Sequence, residues 1–410
     1  MLSEKQIRLN ESLTDLAKKL DITPSKYKDA VERYTAVGNW LEGGQYPKAT
    51  ELPQIYPQGS FRLGTVIRPI KEGKEADYDI DLVCQLSIAK SSTNSAELKN
   101  MVGDRLKENA DYQRMLDEEG RRCWTLEYAQ EEDGIGFHMD VLPAIPTDDV
   151  GLSVLNENQV SSQYSQHAID ITDKNKETKM YSWKPSGSNP EGYAKWFDTI
   201  KTCYPSYAEI SFSQKQAIFE SCITKQGQPI FASVDRVPEQ LIKTPLQRAI
   251  QILKRHRDIH FQNDSDNKPI SIIITTLAAI AYGNETELYT PIMNIVDKLT
   301  DYEVSGLIRY VDEQWHIPNP VNPIENFADR WNDKGSQKSQ AFFDWLRALK
   351  KDFDVATQRR DVADICNYLW PLFGIKYAQA ETPRSNIIEV SPKTSQPKVQ
   401  ITNPDKPWRP

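Results

Sequence analysis

The segment DYDIDLVCQL, residues 77–86, constrains the chain more than any other because it places two aspartates inside a β-strand pattern. Side chains two residues apart in a strand point to the same face. Asp79 and Asp81 therefore share one face, and the apolar residues that alternate with them are expected in the core: Tyr78, Ile80 and Leu82. Aspartate is disfavoured in strands. The pair thus indicates a functional site, although exposed strand residues without a role remain the alternative.

A second strand-like segment, residues 137–142, carries a third carboxylate, Asp140. Alternation turns Asp140 outward beside His138, and the residues between them are expected in the core: Phe137, Met139 and Val141. Three neighbouring carboxylates repel one another unless cations lie between them. Hard oxygen ligands suit Mg²⁺ or Mn²⁺, and two such ions stabilise both reacting oxygens of a phosphoryl displacement. We therefore predict that Asp79, Asp81 and Asp140 are catalytic and hold two Mg²⁺ ions, with Mn²⁺ as an alternative.

Upstream lies YPQGSFRLGT, residues 56–65, in which Gly59 and Ser60 stand where a loop meets a short helical stretch. Backbone N–H groups at a helix start favour anionic phosphate, and a serine hydroxyl adds a donor. Glycine also lets the backbone approach a triphosphate without a Cβ clash. Taken alone, the segment fits an ordinary Gly-Ser turn better. Its position before the aspartates makes it a candidate phosphate site.

A Gly-Ser pair, an Asp-x-Asp strand and a later third aspartate, in this order, resemble the signature of the polymerase-β-like nucleotidyltransferase superfamily. Longer stretches narrow the resemblance: QGSFRLGTVIRP, DYDIDLVCQL, HMDVLPAIP, SNPEGYAKWF, TPLQRAIQILKRHRDIHF and KPISIIITTLAAIAY. They are similar to the bacterial cGAS/DncV-like nucleotidyltransferases (CD-NTases) of CBASS anti-phage systems, and most of all to clade D. The similarity runs from about residue 5 to residue 375.

This resemblance implies an α+β fold in two lobes, a polymerase-β-like nucleotidyltransferase core and an oligoadenylate-synthase-like α-helical lobe. We expect the core with its N-terminal helices over residues 1–205 and the helical lobe over residues 206–378. The proline-rich residues 379–410 are expected to form an extended or disordered tail. The resemblance also implies an enzyme, a cyclic oligonucleotide synthase that joins ATP and other NTPs into a cyclic di- or trinucleotide second messenger.

The resemblance assigns roles to individual residues as well. Asp140 would help to deprotonate the attacking 3′-hydroxyl. In the helical lobe, Lys254 and Ser271 match family residues that reach the nucleotide phosphates. The residues that would contact the donor triphosphate are Gln58, Gly59 and Ser60.

Several of these interpretations keep an alternative. Lys254 fits a solvated surface lysine about equally well, and Ser271 also fits a helix cap. Asn189 lies in a segment that resembles a family stretch near the base pocket, but a turn is the simpler interpretation. His138 and His256 are expected to be packing or surface residues rather than ligands.

Net charge limits the competing functions. The chain carries a formal charge of −8, which counts against a template-independent RNA or tRNA nucleotidyltransferase because such enzymes need a basic surface. The presence of all three carboxylates counts against a catalytically silent nucleotide-binding module. These two functions remain the alternatives, and no stable nucleic-acid partner is expected.

No stretch approaches the ~20 apolar residues of a membrane span, and the opening MLSEKQIRLN lacks the apolar segment of a secretory signal. The five cysteines are scattered and form no CxxC pair, which is typical of reduced thiols. We therefore expect a cytoplasmic protein without a membrane partner. The resemblance adds CBASS operon regulators, HORMA-like or ubiquitin-transfer-like proteins, as expected partners.

Periodicity predicts the remaining architecture coarsely. Two helices are expected over residues 4–41. Residues 150–200 are polar and are expected to be irregular. From about residue 205 the chain is expected to be mainly helical, with helices that include Tyr207–Thr224 and Pro323–Trp331.

Overall fold

Two helices open the chain, and a capping residue directly precedes each of them. In the computed structural model, α1 spans Glu4–Lys19, and Ser3 and Gln6 exchange side-chain-to-backbone hydrogen bonds at its start. α2 spans Pro24–Glu42 and is capped by Thr23, with proline at the first helical position, as predicted. The structure describes residues 2–71, 74–128, 135–175, 177–201 and 243–376.

The strands of the N-terminal half build one large sheet. Numbered along the chain, they are β1 (Gln54–Gln58), β2 (Ile70–Lys71), β3 (Lys74–Glu75), β4 (Tyr78–Gln85), β5 (Trp124–Tyr128), β6 (Phe137–Pro146), β7 (Ile169–Lys174) and β8 (Tyr181–Trp183). β2 and β3 pair with each other, and the sheet runs β1-β4-β6-β7-β8, with β5 also on β6. β4 and β6 are parallel, whereas the other pairs are antiparallel. The two aspartate-bearing strands therefore lie side by side at the centre of the sheet.

Helices cover one face of this sheet. In chain order, the helices that follow α2 are α3 (Gly59–Leu63), α4 (Ser95–Lys107), α5 (Ala110–Met115), α6 (Asp149–Glu157), α7 (Ser162–Ser165) and α8 (Pro190–Ile200), with one 3₁₀ turn at Lys90–Ser92. Apolar residues of α2 and α4 pack in one cluster with the predicted core residues of β4 and β6: Tyr78, Ile80, Leu82, Phe137, Met139 and Val141. Each large apolar side chain buried in this way contributes about 1.5–3 kcal/mol. The predicted inward face is confirmed.

The opposite face carries the aspartates at one end and a smaller apolar cluster at the other. Val83 of β4 and Leu142 of β6 lie on the aspartate face, as the alternation predicts, but they are buried against Tyr56 and Ile169. Apolar packing therefore covers this face beyond the aspartates, and the carboxylates lie at its other end.

The prediction that residues 150–200 are irregular is wrong. This stretch contains most of α6, all of α7 and α8, and the strands β7 and β8. The elements are short, and polar side chains define their ends: Asp148 accepts from the Gly151 backbone N–H, and Asn189 accepts from that of Gly192. Residues that favour loops by composition act here as helix caps.

The C-terminal half is largely helical, as predicted. Its helices are α9 (Pro245–His260), α10 (Ser271–Ala281), α11 (Tyr289–Thr300), α12 (Tyr302–Ser305), α13 (Lys338–Thr357) and α14 (Val362–Leu369), with 3₁₀ turns at Asp329–Asn332 and Trp370–Phe373. The predicted helix Tyr207–Thr224 lies outside the described residues.

The predicted helix Pro323–Trp331 is wrong. Four short strands occupy this region instead: β9 (Arg309–Val311), β10 (Gln314–His316), β11 (Pro318–Asn319) and β12 (Asn322–Asn326). Asn326 accounts for the difference because its side chain accepts from the Ile317 backbone N–H and donates to the Trp315 carbonyl. These bonds join residues 9 and 11 positions apart, beyond the reach of a helical turn, and they favour strand pairing over the local helical periodicity.

Residues 1–376 form one compact unit. Within it, α1 contacts α9, α11, α13 and α14, so the first helix lies against the C-terminal helices. The boundary between residues 205 and 206 stays a prediction, because it falls among residues that the structure does not describe. The predicted tail, residues 379–410, also lies outside the described part. No helix among the described residues is long and apolar enough to cross a membrane.

Candidate active site

The three predicted carboxylates lie together on one face of the sheet. Asp81 of β4 is the direct neighbour of Asp140 in the parallel register with β6, and Asp79 lies two residues before Asp81. All three line a cavity of about 730 Å³. The Thr125 hydroxyl donates to Asp140 Oδ1 over 2.6 Å, which holds one oxygen of that carboxylate and leaves Oδ2 for another contact.

The electrostatics of the three carboxylates favour a cation beside them. Burial and, to a smaller extent, the neighbouring Asp140 and Asp79 raise the pKa of Asp81 to about 7, against the opposing effect of Lys254. Within the described ranges, no residue donates a hydrogen bond to the side chain of Asp81. A carboxylate without donors and beside two others is stabilised as an anion only when positive charge lies close to it.

The donor set suits an open metal site rather than a closed one. Among the described residues, no three Asp, Glu, His or Cys side chains are grouped so as to hold a metal ion by themselves. Mg²⁺ is commonly held by one or two carboxylates, with water and substrate phosphates completing its coordination. The side chain of Asp79 is 80% exposed, so it can reach an ion that a nucleotide brings into the cleft.

The Gly-Ser turn lies directly against the carboxylates. Gly59 is the first residue of α3 and has φ +64°, a left-handed conformation that favours glycine. A Cβ at this position would lie 2.2 Å from Asp81 Oδ2. Ser60 lines the cavity together with Gly59, whereas the predicted residue Gln58 is not part of the lining. The close approach of α3 to the carboxylates thus requires glycine at position 59 for two reasons, the left-handed backbone conformation and the lack of space for a Cβ.

The segment Leu63–Arg68, called the strap below, begins at the last residue of α3 and forms one wall of the cavity. Four of its residues line the cavity: Leu63, Thr65, Val66 and Ile67. No strand of the described structure includes the strap. Its backbone carbonyls therefore need partners from elsewhere in the molecule.

Side chains of α9 and of Lys243, two residues before this helix, supply those partners. Gln247 donates to the Leu63 carbonyl, Lys243 to Gly64, Lys254 to Thr65, Gln251 to Val66 and Arg255 to Arg68. Every one of these donor side chains is buried. The C-terminal helices thus hold the strap, and with it α3, through a row of polar contacts to the backbone.

The structure excludes the surface alternative for Lys254. This residue is 5% exposed, lines the cavity, and its Nζ lies 3.0 Å from the Thr65 carbonyl. Burial and, to a smaller extent, Arg257 lower the pKa of Lys254 to about 7, while Asp258 and Asp81 oppose the fall. An ammonium has three hydrogens. Lys254 can therefore keep its bond to the strap and still donate into the cavity.

Ser271 lies on the same cavity, at the first position of α10. The N-cap of that helix is Ile270, which has no side-chain cap bond, so Ser271 is not the capping residue. Arg257 Nη1 donates to Ser271 Oγ over 2.9 Å. Arg257 and Asp258 also line the cavity and are residues that the sequence reasoning missed. The available signal was that Arg257 lies one helical turn after Lys254.

Three further predictions concern residues near the cleft or distant from it. His138 lies between Asp77 and Asp79, with ring nitrogens 3.5 and 3.6 Å from their carboxylates, so it contacts acidic groups rather than the apolar core. His256 is a buried packing residue whose Nδ1 accepts a hydrogen bond from Trp345 Nε1. Asn189 is the N-cap of α8 and not part of a simple turn, and its side chain donates to two backbone carbonyls.

Comparison with known proteins agrees with this geometry. Residues 53–143 match the family model described as cyclic GMP-AMP synthase DncV-like, nucleotidyltransferase domain. The chain is 30% identical over 334 residues to a c-di-GMP synthase from Roseivirga ehrenbergii, and the match covers 81% of this chain and 75% of the relative.

Solved structures share the fold. The Bradyrhizobium diazoefficiens CD-NTase CdnG in complex with GTP superimposes with a TM-score of 0.60 at 20% identity, over 89% of this chain and 97% of that one. The E. coli MS115-1 CdnC:HORMA-deltaN complex gives a TM-score of 0.54 at 14% identity, over 89% and 96% of the two chains. The α+β fold predicted from the sequence is confirmed.

Proposed function

Because the chain belongs to the DncV-like nucleotidyltransferases (CD-NTases), we propose that it joins NTPs into a cyclic di- or trinucleotide at the cleft between β4, α3 and α9. The chain is a nucleotidyltransferase of the kind that synthesises cyclic oligonucleotides in CBASS anti-phage systems. The observation that carries the proposal is the convergence of Asp79, Asp81 and Asp140 with Ser60 and Lys254 on one cavity. Membership of clade D stays a prediction.

The substrates are ATP and other NTPs. A cavity of about 730 Å³ is within the range of small-molecule sites. Its wall combines the carboxylates of β4 and β6 with Lys254 of α9 and Ser271 of α10, a set of groups that suits a triphosphate whose charge is bridged by cations. The related CdnG was solved with GTP. We assign Ser60 and Lys254 to the triphosphate. Gln58 precedes α3, makes no side-chain cap bond to it and does not line the cavity, so its contact with the triphosphate stays a prediction.

Members of this family are generally metal-dependent. We propose that Asp79, Asp81 and Asp140 hold two Mg²⁺ ions, or Mn²⁺. Bound there, the ions would supply Lewis-acid stabilisation of the attacking and leaving oxygens. The raised pKa of Asp81 and its lack of donors support this assignment.

The chain's own residues prepare the reaction. Thr125 fixes Asp140 through Oδ1, so Oδ2 is the atom available to accept the proton of an attacking 3′-hydroxyl. Lys254 is held by the Thr65 carbonyl and offers its remaining hydrogens to negative charge that builds on the phosphates. Gly59 brings α3 close enough to the carboxylates for one triphosphate to contact both.

We further propose that a CBASS operon protein regulates the chain. The relative CdnC forms a complex with HORMA-deltaN, which supports a HORMA-like regulator, and a ubiquitin-transfer-like protein is the second candidate. Co-purification of the chain with each operon-encoded protein, followed by a synthesis assay of the complex, tests this. A regulator that binds without changing the rate of synthesis would contradict the proposal.

Incubation with labelled NTPs and Mg²⁺, followed by phosphatase treatment and mass spectrometry, tests the function. A cyclic product is resistant to phosphatase because it has no terminal phosphate. Extension of an added RNA would indicate an RNA nucleotidyltransferase. The absence of any product, in a sample that still binds NTPs, would indicate a catalytically silent binding module.

A further inference from the structure

Arg257 links the end of α9 to the start of α10 beside the cleft. Its Nη1 donates to the Pro269 carbonyl over 3.0 Å and to Ser271 Oγ over 2.9 Å. Its Nε and Nη2 donate to Asp258 Oδ1 over 2.9 and 2.6 Å. The side chain of Arg257 is only 6% exposed. Arg257 is therefore a fixed part of the cavity wall rather than a mobile surface cation.

The bond from Arg257 determines what the Ser271 hydroxyl can do. A serine hydroxyl has one hydrogen to donate and two lone pairs that accept. Since Ser271 Oγ accepts from Arg257, its own hydrogen is directed away from the guanidinium. Among the described residues, Ser271 Oγ has no second partner that would take this hydrogen. The hydroxyl lines the cavity, so a nucleotide phosphate oxygen is the acceptor that the geometry leaves for it.

Arg257 is paired with one carboxylate, that of Asp258. Asp258 takes two of its N–H groups, and Lys268 lies 3.7 Å from the same carboxylate oxygen. The ammonium of Lys254, one turn earlier on α9, donates instead to a neutral group, the Thr65 carbonyl. Lys254 thus supplies charge, and Arg257 contributes geometry.

We propose that Arg257 is a positioning residue that aims the Ser271 hydroxyl hydrogen at a phosphate oxygen of the bound NTP. A hydroxyl that accepts from a cation is also a stronger donor, because hydrogen bonds in a chain polarise one another. This inference rests on the proposed function, since it takes the nucleotide triphosphate as the ligand of the cleft.

A double-mutant cycle separates positioning from direct contact. We expect Ser271→Ala to raise the KM for the NTP roughly tenfold or more, the size of one lost hydrogen bond to a charged group. Arg257→Gln should raise KM by a similar factor, and Arg257→Lys by less, because lysine keeps one donor. In the double variant Ser271→Ala with Arg257→Gln, the second change should add little. Multiplication of the two effects would overturn the proposal, because Arg257 would then act on the nucleotide by itself.

Arg105 provides a matched control. It is a largely buried arginine, 15% exposed, whose Nε and Nη2 donate to the Trp40 carbonyl, and it does not line the cavity. Arg105→Gln should lower Tm and leave KM unchanged. An equal rise of KM in this control would show that loss of any buried arginine weakens the cleft, and the assignment of Arg257 would fail.

Calorimetric titration of the same variants with ATP and GTP in the presence of Mg²⁺ measures Kd without turnover. Coupling between positions 257 and 271 in Kd, in a protein that forms no cyclic product, would support the role of Arg257 and overturn the proposed function. Product formation without such coupling, in KM or in Kd, would do the reverse.

Discussion

Replacement of Gly59 by alanine tests how closely the Gly-Ser turn must approach the carboxylates. The added Cβ would lie 2.2 Å from Asp81 Oδ2 and 3.1 Å from its Cγ. Ordinary van der Waals contact begins at 3.4 Å, so the carboxylate and α3 must separate by about 1 Å. A misplacement of about 1 Å at a reacting centre can cost on the order of 100-fold in rate.

The same substitution also carries a backbone cost. Gly59 has φ +64°, and a non-glycine residue in this region costs roughly 1–2 kcal/mol. Gly306 isolates that cost because its φ is also +64° and no atom lies within 4 Å of its added Cβ. Gly306→Ala should therefore lower the free energy of unfolding about as much as Gly59→Ala does from the backbone alone.

The two variants are compared by thermal unfolding and by the rate of cyclic product formation at saturating NTP and Mg²⁺. We expect both to lose stability and only Gly59→Ala to lose kcat, by roughly 100-fold. Wild-type kcat in Gly59→Ala would refute the reasoning, because α3 would then tolerate a different distance from Asp81. An equal loss of kcat in Gly306→Ala would refute it as well, since strain alone would account for the effect.

The other predictions concern the charged and hydroxyl groups of the cleft. Asp79→Asn combined with Asp81→Asn should abolish synthesis and keep or raise Tm, because it removes repulsion between carboxylates; synthesis at the wild-type rate would exclude the metal site. Ser60→Ala should weaken NTP binding by about 1.5–3 kcal/mol in calorimetry and affect Mg²⁺ binding less, and unchanged NTP affinity would make the turn purely structural. Lys254→Ala should reduce both the rate and Tm, since it removes a donor to the Thr65 carbonyl as well as a cation, and Lys254→Arg should restore only part of the rate. A wild-type rate in the alanine variant would show that Lys254 serves only the fold.

The sequence predicted the carboxylate end of the site well, because the period of a strand determines the face on which each residue lies. The faces of β4 and β6 follow from the alternation around Asp79, Asp81 and Asp140, and the side-by-side position of the two strands makes one site from two motifs. The helices with strong caps, such as those after Ser3 and Thr23, were equally visible.

The parts that sequence reasoning missed depend on contacts that reach beyond the residues of one helical turn or one strand. The strands around Asn326 are held by bonds to the backbone of β10 and of the residue after it, which no local period reveals. The burial of Lys254 escaped prediction for a similar reason. Its apolar neighbours on α9 indicated one buried stripe, whereas the strap covers the polar side of that helix as well.

The strap is anchored through its backbone, which leaves its side chains free to differ between proteins that use different substrates. Its carbonyls are bound by side chains of α9 and Lys243, and a carbonyl is the same group in every amino acid. The side chains of Thr65, Val66 and Ile67 can therefore be exchanged for others of compatible size without loss of the bonds that position α3. Those same side chains line the cavity. Natural drift or directed evolution can thus reshape the cleft at these positions while the three carboxylates and the Gly-Ser turn stay in place.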